Sequence, residues 1–296
     1  MRALRIWDSL LGAVYDFPYF NVYFAGRPFN LLTALWCSVL RCGSGIYTAT
    51  GVQECPRPKK PIRLYEFEAC PFCRKVREAL CVLDIDHEVR PCPKPALVGK
   101  FGSADGASRF RTEVADPSGH TRFPVLVDDN AGGTIRGSED IIAHLWKTYG
   151  VGAEQPKTYR MGRGLDGFMP LFMLPNLLRL RPTHGMVKQP SRAPEKPLVL
   201  WGYEGSPFVK IVREALCVLE LPYTYRVAAH GSDAKRREFA LAYGPLMSQR
   251  SARQALGAIQ VPMLLDPNRD GAPIFESSEI VRYLFETYGM PAVKSE

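Results

Sequence analysis

The chain has 296 residues, 46% of them hydrophobic and 23% charged, with a formal net charge of +8 and eight cysteines. That length holds two domains of ordinary size, and the apolar fraction without any low-complexity tract excludes a disordered protein. Eight cysteines in so long a chain do not make a disulfide scaffold. Lys and Arg are scattered without a recognisable nucleic-acid module, and no stretch reaches the roughly 20 consecutive apolar residues of a membrane span.

Residues 1–60 read as an N-terminal amphipathic, helical extension. Leu4, Trp7, Leu10, Leu11 and Val14 fall at helical spacing, Pro18 and Gly26-Arg27-Pro28 interrupt, and Leu31 to Leu40 predicts a second helix. Asp8 and Asp16 break the continuous apolar core that a secretory leader needs. Packing on the body of the protein is the favoured use of these helices. Interfacial membrane contact through Trp7, Tyr19, Phe20, Tyr23, Phe24 and Trp36 is the alternative.

Residues 61–150 predict an α/β unit: strand from Ile62 to Phe67, helix carrying Val76, Ala79, Leu80 and Leu83, strand His87 to Pro91, strands Val125 to Asp128 and Gly133 to Arg136, and helix Glu139 to Tyr149. The helix-bearing polar stretch from Lys94 to Thr121, rich in Gly, Ala and Ser, is expected to form a mobile loop over the site. Residues 151–196 are a linker with an apolar island, Phe168 to Leu178. They are too long and too apolar for a free tether, and their prolines exclude one long helix.

Residues 197–296 repeat the first unit. Val76-Arg77-Glu78-Ala79-Leu80-Cys81-Val82-Leu83 recurs letter for letter as Val212 to Leu219. Pro71-Phe72 returns as Pro207-Phe208, Phe123-Pro124 as Val261-Pro262, Ser138-Glu139-Asp140-Ile141 as Ser277-Ser278-Glu279-Ile280, and Thr148-Tyr149-Gly150 as Thr287-Tyr288-Gly289. Duplication of a whole domain is the simplest account.

The chemistry concentrates at Cys70-Pro71-Phe72-Cys73, where the first strand gives way to a helix. Unpaired N–H groups and the positive end of the helix dipole stabilise a thiolate there, lowering a cysteine pKa from about 8.5 towards roughly 3.5–7.5. Pro71 suits the first helical position, which makes Cys70 the nucleophile; Cys73, one turn on, is within reach to resolve a mixed disulfide. The other cysteines (Cys37, Cys42, Cys55, Cys81, Cys92, Cys217) form no second Cys-x-x-Cys and no His-x₃₋₅-His occurs, which argues against zinc and any other metal. Cys81 and Cys217 read as buried core residues. In the second unit Ser206 and Val209 replace Cys70 and Cys73, giving Ser-Pro-Phe-Val for Cys-Pro-Phe-Cys. A serine hydroxyl cannot carry thiol–disulfide exchange.

Taken together, these residues resemble the glutaredoxins and the thioredoxin-like N-terminal domain of glutathione transferases, most closely the omega-type enzymes and type-2 prostaglandin E synthase, here duplicated in tandem. The resemblance implies two thioredoxin-like domains with a cis-proline at Phe123-Pro124 and at Val261-Pro262. It also implies glutathione contacts at Phe123, Pro124, Ser138 and Asp140 in the first domain, with Lys75 and Arg77 adding positive charge from exposed helix positions. In the second domain it implies contacts at Ser206, Val261, Pro262, Glu276 and Ser277.

The function so implied is a glutathione-dependent thiol–disulfide oxidoreductase, with a second domain that is redox-inactive and either binds glutathione or closes off the first. Glutathione serves as co-substrate, and the partner is a disulfide or glutathionylated substrate, not a nucleic acid. An iron–sulfur cluster bridged through Cys70 ranks low, because cluster-binding relatives carry glycine or serine where Pro71 stands. A transferase using Ser206 or Cys70 is an alternative, weakened by the lack of an all-helical domain after either unit; a non-enzymatic adaptor is another. Thiol turnover points to a reducing compartment, the cytoplasm or the interior of a plastid or mitochondrion, and not to secretion.

Overall fold

The computed structural model describes residues 27–95, 108–116, 121–168, 173–175, 179, 184–247 and 259–290. The helix expected over Leu4 to Val14, most of the polar stretch expected as a loop, and part of the apolar island lie outside the described residues.

The first domain comprises β1 (Ile62–Glu66), α2 (Pro71–Val82), β2 (His87–Pro91), β3 (Val125–Asp128), β4 (Gly133–Arg136) and α3 (Ser138–Tyr149), preceded by α1 (Arg27–Leu40) and followed by α4 (Lys157–Gly164). The second comprises β5 (Leu198–Gly202), α5 (Pro207–Val218), β6 (Tyr223–Val227), α6 (Asp233–Tyr243), β7 (Met263–Leu265), β8 (Ile274–Phe275) and α7 (Ser277–Tyr288). Both are thioredoxin-like. Within each, the first two strands run parallel and the last two are antiparallel additions on the other edge.

The domains share one sheet in the order β4-β3-β1-β2-β6-β5-β7-β8. β2 meets β6 antiparallel, with Val89 opposite Tyr223 and His87 opposite Tyr225. Since β1 is parallel to β2 and β5 to β6, β1 and β5 run in opposite directions. The turn after β1, which carries Cys70, and the turn after β5, which carries Ser206, therefore sit at opposite ends of the sheet.

Each domain has its own core. Leu64, Val76, Leu80, Leu83, Leu126, Ile141 and Leu145 are buried between sheet and helices in the first, and Leu200, Val212, Leu216, Leu219, Leu264, Ile280 and Leu284 do the same in the second. Each such side chain contributes about 1.5–3 kcal/mol when fully buried.

The helix ahead of the first domain crosses to the second. α1 precedes the first domain, yet its Leu31 and Ala34 join the core of the second. Arg179, in the linker, ion-pairs with Glu214 and donates to the Asn30 carbonyl at 2.7 Å and to Thr33 Oγ1 at 2.8 Å. Packing on the body is thus what one face of α1 does. Its other face, Phe29, Leu32, Leu35, Trp36 and Val39, is about half exposed and carries no charge. Among the described residues no helix is long and apolar enough to cross a membrane.

The identical octapeptides face this seam. Arg77 pairs with Glu66 and Glu204, and Arg213 with Glu68 and Glu204. Glu78 pairs with Arg41 as Glu214 does with Arg179. Cys81 Sγ donates to the Gly45 carbonyl at 3.2 Å, and Cys217 Sγ to the Gly185 carbonyl at 3.4 Å. Both cysteines are buried, as expected, and burial pushes both thiols up.

Candidate functional site

Cys70 is the N-cap of α2, in an extended conformation (φ −81°, ψ 121°), with Pro71 in the first turn. Proline suits that position because the N–H it lacks has no helical partner there. The cap geometry turns the Cys70 sulfur back over the helix start, where it accepts from the Cys73 N–H at 3.4 Å. The Cys73 side chain lies close enough to Cys70 for each thiol to act on the other.

Both sulfurs are buried, Cys70 at 4% exposure and Cys73 at 0%, beside the 43% exposed ring of Phe72. Burial by itself would push the Cys70 thiol up. The Cys73 side chain and the N–H groups of Cys73 and Phe72 outweigh it and hold Cys70 below the ordinary thiol value, with the charge of Glu66 opposing them. Cys73 is pushed well above that value by burial, by the Cys70 side chain and by the charges of Cys70 and Glu66. The pair is thus split in the sense that exchange chemistry needs: one sulfur is disposed to be a thiolate and its neighbour to hold a proton.

The surroundings come from three further segments. Phe123 and Pro124 are joined by a cis peptide just ahead of β3, and the Phe123 ring packs edge-on against Phe67 at 6.1 Å. Arg111 lies over Phe123, 5.0 Å from its centroid, and donates to the Cys92 and Pro93 carbonyls at 2.9 Å. Lys94, half-buried, is close enough for the thiolate charge of Cys70 to raise its pKa, against a larger lowering by burial and by Arg111. At the far side α3 opens with Gly137 at φ +88°, a left-handed conformation that suits glycine. Ser138, in the first turn, is buried and Asp140 exposed. The first-turn N–H groups of α3 have no partner within the helix and suit a carboxylate.

Two expectations need correction. Lys75 and Arg77 are not exposed: they are 6% and 3% accessible. Lys75 Nζ pairs with Glu139 at 3.0 Å, and Arg77 is held in the seam by Glu66, Glu68 and Glu204. Lys75 is thereby committed to α3 and braces the Ser138 turn through Glu139. Lys94, close enough to Cys70 for their charges to interact, and Arg111, over Phe123, were missed by motif reading. The repeat could have found Lys94, since His230 occupies the matching position in the second domain.

In the second domain Ser206 caps α5 with the same dihedrals, φ −81° and ψ 121°, and its Oγ accepts from the Val209 N–H at 3.3 Å. Tyr203 and His230 rings lie 6.1 Å apart, and Tyr47, from the other domain's leader, is 5.5 Å from His230. Val261-Pro262 is also cis. Glu276 takes φ +66° at the start of α7 and accepts from Gln260 Nε2 at 2.7 Å; Ser277 behind it is buried.

Compared with known families, the chain matches the model of the glutathione S-transferase N-terminal domain twice, over residues 64–156 and 200–292. No curated protein and no solved structure matches it.

Proposed function

The chain belongs to the family of the glutathione S-transferase N-terminal domain, which it carries twice in tandem, and on that premise we propose that it is a glutathione-dependent thiol–disulfide oxidoreductase acting through Cys70 and Cys73. At the coarser level it is a glutathione-related protein of thioredoxin-like fold. The observation that carries the finer reading is the split pair: Cys70 at the helix cap is lowered, and the neighbouring Cys73 is raised.

In the proposed cycle the Cys70 thiolate attacks the glutathionyl sulfur of a mixed disulfide R–S–S–G. A Cys70–glutathione disulfide forms and RS⁻ leaves, taking a proton from solvent. A second glutathione thiolate then attacks the glutathionyl sulfur, releasing oxidised glutathione and regenerating the Cys70 thiolate. The net reaction, R–S–S–G and one glutathione giving R–SH and glutathione disulfide, balances with glutathione as the reductant. Alternatively Cys73 loses its proton and attacks Cys70, expelling reduced glutathione and leaving an internal disulfide that two further glutathiones reduce.

The backbone ahead of β3, at Phe123 and Pro124, would align the cysteinyl part of glutathione, and Ser138, Asp140 and the start of α3 its γ-glutamyl end. For the second domain we propose glutathione binding without turnover. The support is that Ser206 stands in Cys70's conformation and Ser277 is buried at the start of α7, with Val261, Pro262 and Glu276 beside them.

The test is glutathione-dependent reduction of a small mixed disulfide by the purified protein. Cys70→Ser is expected to reduce turnover to background, while Cys73→Ser retains the route through a second glutathione. Turnover that survives Cys70→Ser would overturn the assignment. Conjugation of a model electrophile that survives Cys70→Ser but not Ser206→Ala would move the chemistry to the second domain.

A further inference from the structure

The second domain has no thiol at its own helix start, yet it grips the turn that carries the first domain's. Glu68 and Ala69 are the two residues before Cys70, and both are held from across the seam. The Glu68 N–H donates to Cys217 Sγ at 3.4 Å and the Ala69 N–H to the Gly185 carbonyl at 3.2 Å. The Glu68 carboxylate, 2% exposed, accepts from Arg213 Nε at 3.0 Å, Arg213 Nη2 at 3.1 Å and Lys210 Nζ at 2.9 Å, all three on α5. The remaining arm of the Arg213 guanidinium reaches Glu204 at 2.7 Å, so one side chain ties the turn before Cys70 to the turn before Ser206.

The linker adds a strap. Met186 accepts from the Lys94 N–H at 2.7 Å and the Lys188 N–H donates to the Lys94 carbonyl at 2.9 Å. This pins the backbone of the lysine that flanks Cys70. Gly185, at φ +77°, passes so close to the turn that a Cβ added to it would lie 2.4 Å from Glu68 Cβ. The same device is built in reverse at the other end of the sheet. The Glu204 N–H donates to Cys81 Sγ at 3.4 Å, the Gly205 N–H to the Gly45 carbonyl at 3.4 Å, and residues 46–48 pair with His230.

We infer that the second domain, together with the linker ahead of it, is a positioning element of the Cys70 site: Arg213 and Lys210, acting through Glu68, and the strap 184–188, acting through Ala69 and Lys94, fix the turn that presents the thiol. This rests on the reading of Cys70 as a reactive thiol. A thiolate at a helix start is held by the N–H groups it faces, so its stability depends on where the cap residue sits relative to them. A buried carboxylate that loses one of its cations is less well compensated and shifts towards those that remain, here Lys210 and Arg77, and residues 68 and 69 move with it. The other charged or titratable groups facing the turn are Glu66 on β1, Cys73 and Arg77 on α2, Lys94 after β2, and Glu204.

The experiment follows the pH dependence of Cys70 alkylation by iodoacetamide in the full chain, with the modified cysteine located by peptide mass mapping. The parent is expected to react below the pH of an ordinary thiol. Arg213→Gln and Gly185→Ala are each expected to move the midpoint upward, slowing alkylation at neutral pH by about tenfold for each pH unit by which the midpoint passes 7. Lys210→Gln moves it less, and Arg213→Lys recovers part of the loss. Leu284→Ala, in the second domain's core, lowers the melting temperature but leaves the midpoint in place.

Midpoints that stay with the parent while melting temperatures fall would overturn the inference and leave the second domain a plain scaffold. Should Arg213→Gln fail to fold, Gly185→Ala and Lys210→Gln decide. A parent midpoint that is itself ordinary defeats the thiol reading and this inference with it; a low parent midpoint that no variant moves defeats this inference alone.

Discussion

The helix starts at Cys70 and Ser206 share φ −81° and ψ 121°, and each side chain accepts the N–H three residues on. The backbone and the capping hydrogen bond are therefore duplicated, and the difference lies in what the cap atom is and what faces it. One side offers sulfur with Lys94 nearby. The other offers a hydroxyl with His230, which burial and the charge of Arg236 hold below the ordinary histidine range and hence neutral at pH 7. The fold thus copies the frame of the helix start while only one copy carries a thiol there.

The largest effect expected from this comparison comes from restoring the sulfurs. In a Cys70→Ser background, Ser206→Cys with Val209→Cys is expected to bring glutathione-dependent turnover back from background to a measurable rate, below that of the parent. Adding His230→Lys should raise it further by supplying the missing cation. If the introduced thiol at position 206 titrates as an ordinary cysteine in pH-dependent alkylation, the shared cap geometry is not what lowers Cys70.

The second effect tests whether the two domains are energetically one body. Leu80→Ala and Leu216→Ala remove matched, fully buried side chains from the two cores, and each is expected to cost about 2–5 kcal/mol. Because β2 pairs with β6 in a continuous sheet, both variants should shift a single unfolding transition. Two transitions in calorimetry, each moved by its own variant, would show that the domains unfold separately.

Much of this frame was legible in the chain. Cys70 at a strand-to-helix junction, the prolines at 124 and 262, and the octapeptide from Val76 to Leu83 give the tandem architecture through local pattern alone. The burial of Lys75 and Arg77 was not legible. On one amphipathic helix a charged residue reads as solvated; Glu204 of the twin copy holds Arg77 inward, and Glu139 on α3 holds Lys75. The crossing of α1 was equally hidden: nothing in Leu31 and Ala34 says that they pack on the domain further along the chain and not on the nearer one. Identity of Arg, Glu and Cys across the octapeptides was the available signal. Beside apolar core positions that tolerate exchange, such fidelity in polar residues fits a surface on which each copy must match the other.

The smallest effect concerns a pair of buried acids at the ends of β3 and β7. Asp128 accepts from Tyr149 Oη and His144 Nε2, both at 2.8 Å, and from Asn130; Asp266 accepts from Tyr288 Oη at 2.5 Å, Tyr283 Oη at 2.6 Å, and Asn268. Asn130 and Asn268 in turn fix the chain entering β1 and β5 through the N–H groups of Lys60 and Lys196. Burial would push both carboxyls up, but these hydrogen bonds outweigh it and hold them below the ordinary range. A folded-state pKa below the unfolded one means stability that is complete above the unfolded value of about 3.9 and is lost as pH falls through the folded value. Asp128→Asn and Asp266→Asn are each expected to cost about 1–3 kcal/mol at pH 7, with the gap to the parent closing in strong acid. Urea midpoints at pH 7 and pH 3 measure it. A gap as wide at pH 3 as at pH 7 would mean that the carboxylates are held by shape and not by charge, and unequal gaps at pH 7 would trace to the one partner that differs, His144 against Tyr283.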